Sequence, residues 1–213
     1  MNSNFTIVNK IVLLCAKRNS GKSELLKKLV ENEKNFFSTI FVICPTESVN
    51  HFYIKSGLVK TENVFENWNE KWAAALIKKM TEINDNKPKS ELKQILLILD
   101  DAIADVDFRT SPSLKRLFVR SRHIGIGIIL TSQYLNSISP LQRNNSDFIL
   151  CSQMNAKSVD ILSEEFLNST VSKKDFLEIY AKGTKDYGFI LINNNSTKGN
   201  TLDELFGIMR CKL

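Results

Sequence analysis

Residues Ile11–Ser23 read IVLLCAKRNSGKS, an apolar run that stops at a loop ending in Gly-Lys-Ser. The order is chemically meaningful. A buried strand would deliver the chain to a tight loop whose backbone N–H groups converge on phosphate oxygens. The segment that follows, ELLKKLVEN, has helical spacing and would set its positive dipole end against the same anion. In such a loop Lys22 reaches the β- and γ-phosphates and the Ser23 hydroxyl holds Mg²⁺, while Gly21 lets the backbone approach without a Cβ. The pattern G-x-x-x-x-G-K-[ST] is broken at its first position by Ala16. A Gly-Lys-Ser tripeptide also begins ordinary helices, so the strand before it and the amphipathic helix after it carry the reading. The candidate ATP-binding residues are Lys17, Arg18, Asn19, Ser20, Gly21, Lys22 and Ser23.

Hydrolysis needs a carboxylate for the metal and another to activate water. Residues 95–101, ILLILDD, supply both. Five apolar residues describe a strand buried on both faces, as in a parallel sheet, and two aspartates follow at its C-terminal end, where open α/β sheets place ligands. Asp100 is the expected Mg²⁺ ligand and Asp101 the expected general base. An aspartate turn or helix cap is the plainer reading of such a pair, but a phosphate loop in the same chain favours the catalytic one. A further apolar run, Ile126–Thr131, leads to Ser132 and Gln133, whose amide could sense the γ-phosphate or sit in a surface loop. Arg116, Arg120 and Arg122 lie on or beside a short helix before it. Their ordinary meaning is a solvated basic face; their functional one is an arginine donated to a neighbouring subunit's ATP. Arg143, in PLQRNNSD, is a second candidate, and Arg122 is preferred.

Four segments in this order, AKRNSGKS, ILLILDD, SRHIGIGIILTSQY and SPLQRNNSDFILC, resemble the DNA-packaging ATPases of large eukaryotic DNA viruses and their virophages. These belong to the FtsK–HerA group of P-loop motors. The resemblance spans roughly residues 6 to 155 and includes the basic Lys17–Arg18 pair before Gly-Lys-Ser. It implies an α/β P-loop NTPase of RecA/ASCE type, a three-layer sandwich with a central, mostly parallel sheet and helices on both faces. It also implies a ring, pentameric or hexameric, that uses ATP and Mg²⁺ to pump double-stranded DNA without regard to sequence. Capsid or portal proteins would be its partners, and the host cytoplasm, a viral factory or the virion its location.

The 213 residues suit one domain, 1–213, with a substantial core. Hydrophobic residues make up 43% and charged residues 24%, ordinary for a globular protein. No apolar run approaches ~20 residues, so no membrane span is expected, and the first ten residues lack an export-signal pattern. Four cysteines show no C-x-x-C pair. Cys15, Cys44 and Cys151 fall in or at the ends of apolar runs and read as buried hydrophobes in a reducing compartment. Two histidines leave few metal or triad schemes open. A net charge of +6 favours a polyanionic partner, but the charge is spread and no run has the density of a nucleic-acid tail.

Apolar runs near 7–16, 39–44, 95–100, 126–132, 147–151 and 187–192 alternate with helical patterns near 22–33, 68–83, 112–121, 156–167 and 172–181. That alternation implies a parallel sheet between helices. Trp68, Trp72, Leu76 and Met80 recur at helical spacing and read as a packing stripe. Residues 84–91, NDNKPKSE, read as a surface loop. Asp105 and Asp107 read as helix-capping residues and Ser111-Pro112 as a helix start. The end of the chain reads as an edge strand or hairpin, a polar turn at 193–197 and a short terminal helix.

Two other functions fit a P-loop domain of this size. A nucleoside-kinase-like phosphotransferase would need an acceptor pocket and an arginine-rich lid; the Asp100–Asp101 pair and Gln133 favour water as the acceptor instead. A low-turnover ATP-binding scaffold is the non-enzymatic alternative, and Ala16 is the residue that argues for it. No Asn-Lys-x-Asp segment supports a GTPase.

Overall fold

The computed structural model describes residues 5–167, 171–195 and 205–210. Its strands are β1 (Ile11–Cys15), β2 (Thr39–Ile43), β3 (Val64–Phe65), β4 (Ile95–Asp100), β5 (Ile126–Ser132), β6 (Phe148–Cys151), β7 (Gly188–Asn193) and β8 (Phe206–Arg210). Among the described residues they form one eight-stranded sheet in the order β3-β2-β4-β5-β1-β6-β7-β8. The helices are α1 (Lys22–Glu33), α2 (Glu47–Asn50), α3 (Phe52–Ser56), α4 (Glu70–Asn84), α5 (Val106–Thr110), α6 (Pro112–Arg120), α7 (Pro140–Asn144), α8 (Ala156–Glu165) and α9 (Lys173–Gly183). The mostly parallel α/β architecture expected from the alternation is present.

The chain falls into two compact units, one of Thr6–Ile11 and Leu29–Thr131, the other built around Val12–Lys28 and the chain from Ser132 onward. In the first, β2 pairs in parallel with β3 and β4, and β4 with β5, placing Asp100 opposite Thr131. Leu96 to Leu99 are fully buried, as expected of a strand covered on both faces. Each such side chain is worth roughly 1.5–3 kcal/mol relative to leaving it in water. Asn69 caps α4 by accepting from Trp72 N at 2.9 Å. The tryptophan stripe therefore needs one correction. Trp72, Leu76 and Met80 lie on α4, whereas Trp68 precedes the cap and packs edge-on against Phe108 with ring centroids 5.3 Å apart. Asp105 caps α5 through Asp107 N at 2.8 Å, whereas Asp107, also expected as a cap, lies within the first turn of α5. Ser111 caps α6 with Pro112 in its first turn, as the sequence led us to expect.

In the second unit β1 pairs in parallel with β6, and β6, β7 and β8 continue as antiparallel neighbours. The expected terminal helix is corrected here: residues 206–210 form β8, paired with β7 from Gly188↔Arg210 to Ile192↔Phe206. Alternate burial of Met209 and exposure of Ile208 at 52% is the pattern of a strand with one covered face. Residues 196–204, which include part of the expected turn at 193–197, lie outside the described residues.

Candidate functional site: a phosphate loop and an aspartate strand end

β1 ends at Cys15, and the chain enters the loop with Ala16 fully buried. Ala16 N donates to Ser132 O at 3.1 Å and Lys17 N to Gln153 O at 3.0 Å, while Ser152 N donates to Cys15 O at 3.1 Å. These bonds anchor the base of the loop to the chain leaving β5 and β6. Lys17, Arg18 and Asn19 then emerge into solvent. Asn19 takes φ +59° and Gly21 φ +84°, left-handed conformations that asparagine tolerates and glycine adopts freely. The Ser20 hydroxyl closes the turn by donating to Lys17 O at 2.7 Å. Leu25 N then donates to Gly21 O at 2.9 Å and α1 proceeds from Lys22. Ala16 is not among the residues of positive φ, so the backbone there makes no demand for glycine.

Gln133 follows directly on Ser132, whose carbonyl supports Ala16. It is half-buried in a bend. Ser132 Oγ fixes that bend by accepting from Tyr134 N at 3.2 Å. Arg143, on α7, lies in the same unit but has another occupation. It is 6% exposed, and its Nε donates to Glu165 Oε2 at 2.7 Å while Nη2 pairs with Glu165 Oε1 and Nη1 donates to Ile138 O.

In the other unit, Asp100 ends β4 and Asp101 follows it. The Thr131 hydroxyl donates to Asp100 Oδ1 and accepts from Asp101 N at 3.1 Å, so one side chain of β5 fixes both residues. Asp101 has φ +51°, a left-handed conformation that turns the chain out of the strand. Asp100 Oδ2 accepts from Tyr53 OH at 2.9 Å and lies 3.8 Å from the Cys44 thiol. Burial first, then the charge of Asp100, pushes the Tyr53 phenol well above its ordinary 10.0. Burial likewise raises the Cys44 thiol from 9.0 to about 11, partly offset by its hydrogen bond with Thr46. Arg122 lies on the 3-10 turn Ser121–His123, half-buried, with its carbonyl accepting from Asn9 Nδ2 at 2.9 Å.

Sequence reasoning missed the contacts of Tyr53 and Cys44 with Asp100. Nothing local marks them, because Tyr53 meets Asp100 from 47 residues away. It also missed Tyr180, whose hydroxyl donates to Ser152 O at 2.6 Å and accepts from Met154 N at 2.9 Å, clamping the segment that supports Lys17. A cavity of about 460 Å³ lies elsewhere, along Phe37–Phe41 at the N-terminal half of β2 and Leu58–Asn63. No helix among the described residues is long and apolar enough to cross a membrane.

The genome packaging NTPase B204 of Sulfolobus turreted icosahedral virus 2, solved with AMP, superposes with a TM-score of 0.66 at 19% identity over 96% of this chain and 98% of B204. The conjugation coupling protein TcpA of pCW3, bound to ATPγS, gives 0.59 at 18% identity, over 90% of this chain and 59% of TcpA. These likenesses establish the P-loop NTPase fold. Protein 015R of frog virus 3 (isolate Goorha) is 23% identical over 203 residues, 92% of this chain and 60% of the relative. This chain thus spans less than two thirds of that relative's length. Protein 075L of invertebrate iridescent virus 6 is 27% identical over 198 residues, 91% of this chain and 74% of the relative. The family model of the poxvirus A32 protein matches residues 3–201. The chain therefore belongs to the poxvirus A32 protein family.

Proposed function

We propose that this protein is an ATP-hydrolysing translocase that drives double-stranded DNA into a viral capsid. The observation that carries the reading is the built phosphate loop: two left-handed residues, Asn19 and Gly21, lead into an α-helix that starts at Lys22. Family membership and the fold shared with B204, a genome packaging NTPase, support it.

In this reading Lys17–Ser23 bind the triphosphate. Backbone N–H groups and the start of α1 face the anion, and Lys22 neutralises the β- and γ-phosphates. The donor chemistry of Ser23 and Asp100 fits Mg²⁺, a hard cation that takes oxygen ligands and usually keeps water and substrate phosphate in its shell. Bound there, the ion would neutralise charge developing on the transferred phosphoryl group. Asp101 accepts the proton of the attacking water, and Gln133 orients that water or senses the γ-phosphate. Arg122 is the arginine preferred for a neighbouring subunit's nucleotide, and Arg143, which pairs with Glu165 within its own chain, is the second candidate. The subunits form a pentameric or hexameric ring around DNA, gripping its backbone without sequence preference, and dock on capsid or portal proteins. Host cytoplasm or a viral factory is the setting.

The negative φ of Ala16 weakens the scaffold alternative, because the loop's backbone needs no glycine there. The test is nucleotide binding and turnover by wild type, Lys22→Ala and Asp101→Asn. The reading expects Lys22→Ala to lose binding, and Asp101→Asn to bind ATP yet lose turnover by about 10²–10⁴-fold. Wild-type binding without turnover would instead support a scaffold, and turnover that requires a nucleoside acceptor would support a kinase.

A further inference from the structure

We propose that Tyr53 is a positioning residue for Asp100, its phenol hydroxyl fixing the carboxylate that receives the divalent cation. The proposal rests on the ATPase reading above. Both oxygens of Asp100 are held by side-chain hydroxyls: Oδ1 by Thr131 and Oδ2 by Tyr53 at 2.9 Å, with the Cys44 thiol 3.8 Å from the same Oδ2. A carboxylate held at both oxygens keeps its plane, and the direction of its remaining lone pairs is then set before a metal arrives. Partners one shell out from a metal typically change its affinity 10–100-fold when removed.

Tyr53 is itself held for this task. It is 1% exposed and stands in the first turn of α3. Glu47, a carboxylate only 2% exposed, accepts from Tyr53 N at 3.2 Å through Oε2 and from Ile54 N at 2.9 Å through Oε1. A buried carboxylate is costly unless its oxygens are satisfied, and these two are spent on the turn that carries Tyr53. His51, at φ +53°, lets the chain reverse between α2 and α3 so that Glu47 and Tyr53 meet. The segment between β2 and β3, which carries no recognisable motif, thereby becomes part of the metal site's support.

Tyr53→Phe removes the hydroxyl and keeps the ring. Two binding measurements separate positioning from mere core packing: affinity for a fluorescent ATP analogue in EDTA, and Mn²⁺ affinity by electron paramagnetic resonance with a non-hydrolysable ATP analogue present. The variant is expected to match wild type in EDTA and to need about tenfold more Mn²⁺ for half-saturation. Coincident Mn²⁺ isotherms, or tighter Mn²⁺ binding by the variant, would overturn the proposal. Should Tyr53→Phe not fold, Glu47→Gln carries the test, because it loosens the turn and retains the hydroxyl. A smaller shift in the same direction supports the proposal, and none overturns it. Wild type that binds no ATP at all would instead overturn the ATPase reading itself.

Discussion

Arg143 grips Glu165 with two of its guanidinium nitrogens, Nε reaching Oε2 at 2.7 Å and Nη2 reaching Oε1, while its third nitrogen donates to Ile138 O. An arginine so engaged cannot reach a neighbour's nucleotide without first leaving its own buried position and abandoning its carboxylate partner. Arg143→Ala should therefore act on stability, by about 1–3 kcal/mol for its lost charged hydrogen bonds, read as a lowered denaturant midpoint. Arg122→Ala should lower turnover by about 10³-fold, the range of an arginine acting in trans. A mixture of inactive Arg122→Ala subunits with Asp101→Asn subunits should regain partial activity, because each supplies what the other's interface lacks.

Ala16 makes a separate prediction. Its φ is not positive and its side chain is buried, so restoring the glycine of the usual pattern relieves no strain. Ala16→Gly should lower stability by about 0.4–1 kcal/mol, through the greater freedom of the unfolded chain. ATP affinity should stay within about twofold of wild type, as measured by titration calorimetry. A large gain in affinity would mean that the alanine cripples the loop.

The Cys44 thiol sets a pH dependence. Its folded value, about 11, lies above the ordinary 9.0, chiefly because burial disfavours the thiolate. A group raised in the folded state contributes stability that is complete below its unfolded value and lost as pH rises through its folded one. Stability should thus hold up to about pH 9 and fall between about 9 and 11. The raised phenol of Tyr53 acts in the same direction at still higher pH. Cys44→Ala should flatten the fall in urea midpoints measured across that window.

Much of the fold was legible in the sequence because its central strands are buried on both faces. Ile95–Leu99 and Ile126–Leu130 have no polar face to blur them. The two-residue β3 was not legible, being too short to show periodicity. β8 was misread because Phe206–Arg210 is short, has one exposed face and owes its conformation to pairing with β7. The phosphate loop was legible because its chemistry is contiguous, from β1 to the start of α1. The support of Asp100 was not, since Tyr53, Cys44 and Thr131 are brought to it by the β2-β4-β5 arrangement and by the fold-back through His51. Trp68 shows the same limit in miniature: its helical spacing from Trp72 is real, but Asn69 caps the helix between them.

The most direct test of a DNA-driven ATPase is steady-state ATP hydrolysis with and without long double-stranded DNA, at low and at moderate salt. The proposed function expects turnover to rise on adding DNA of any sequence, the stimulation to shrink as salt displaces backbone contacts, and both Lys22→Ala and Asp101→Asn to abolish it. Turnover in wild type that is indifferent to DNA at both salt concentrations would contradict it.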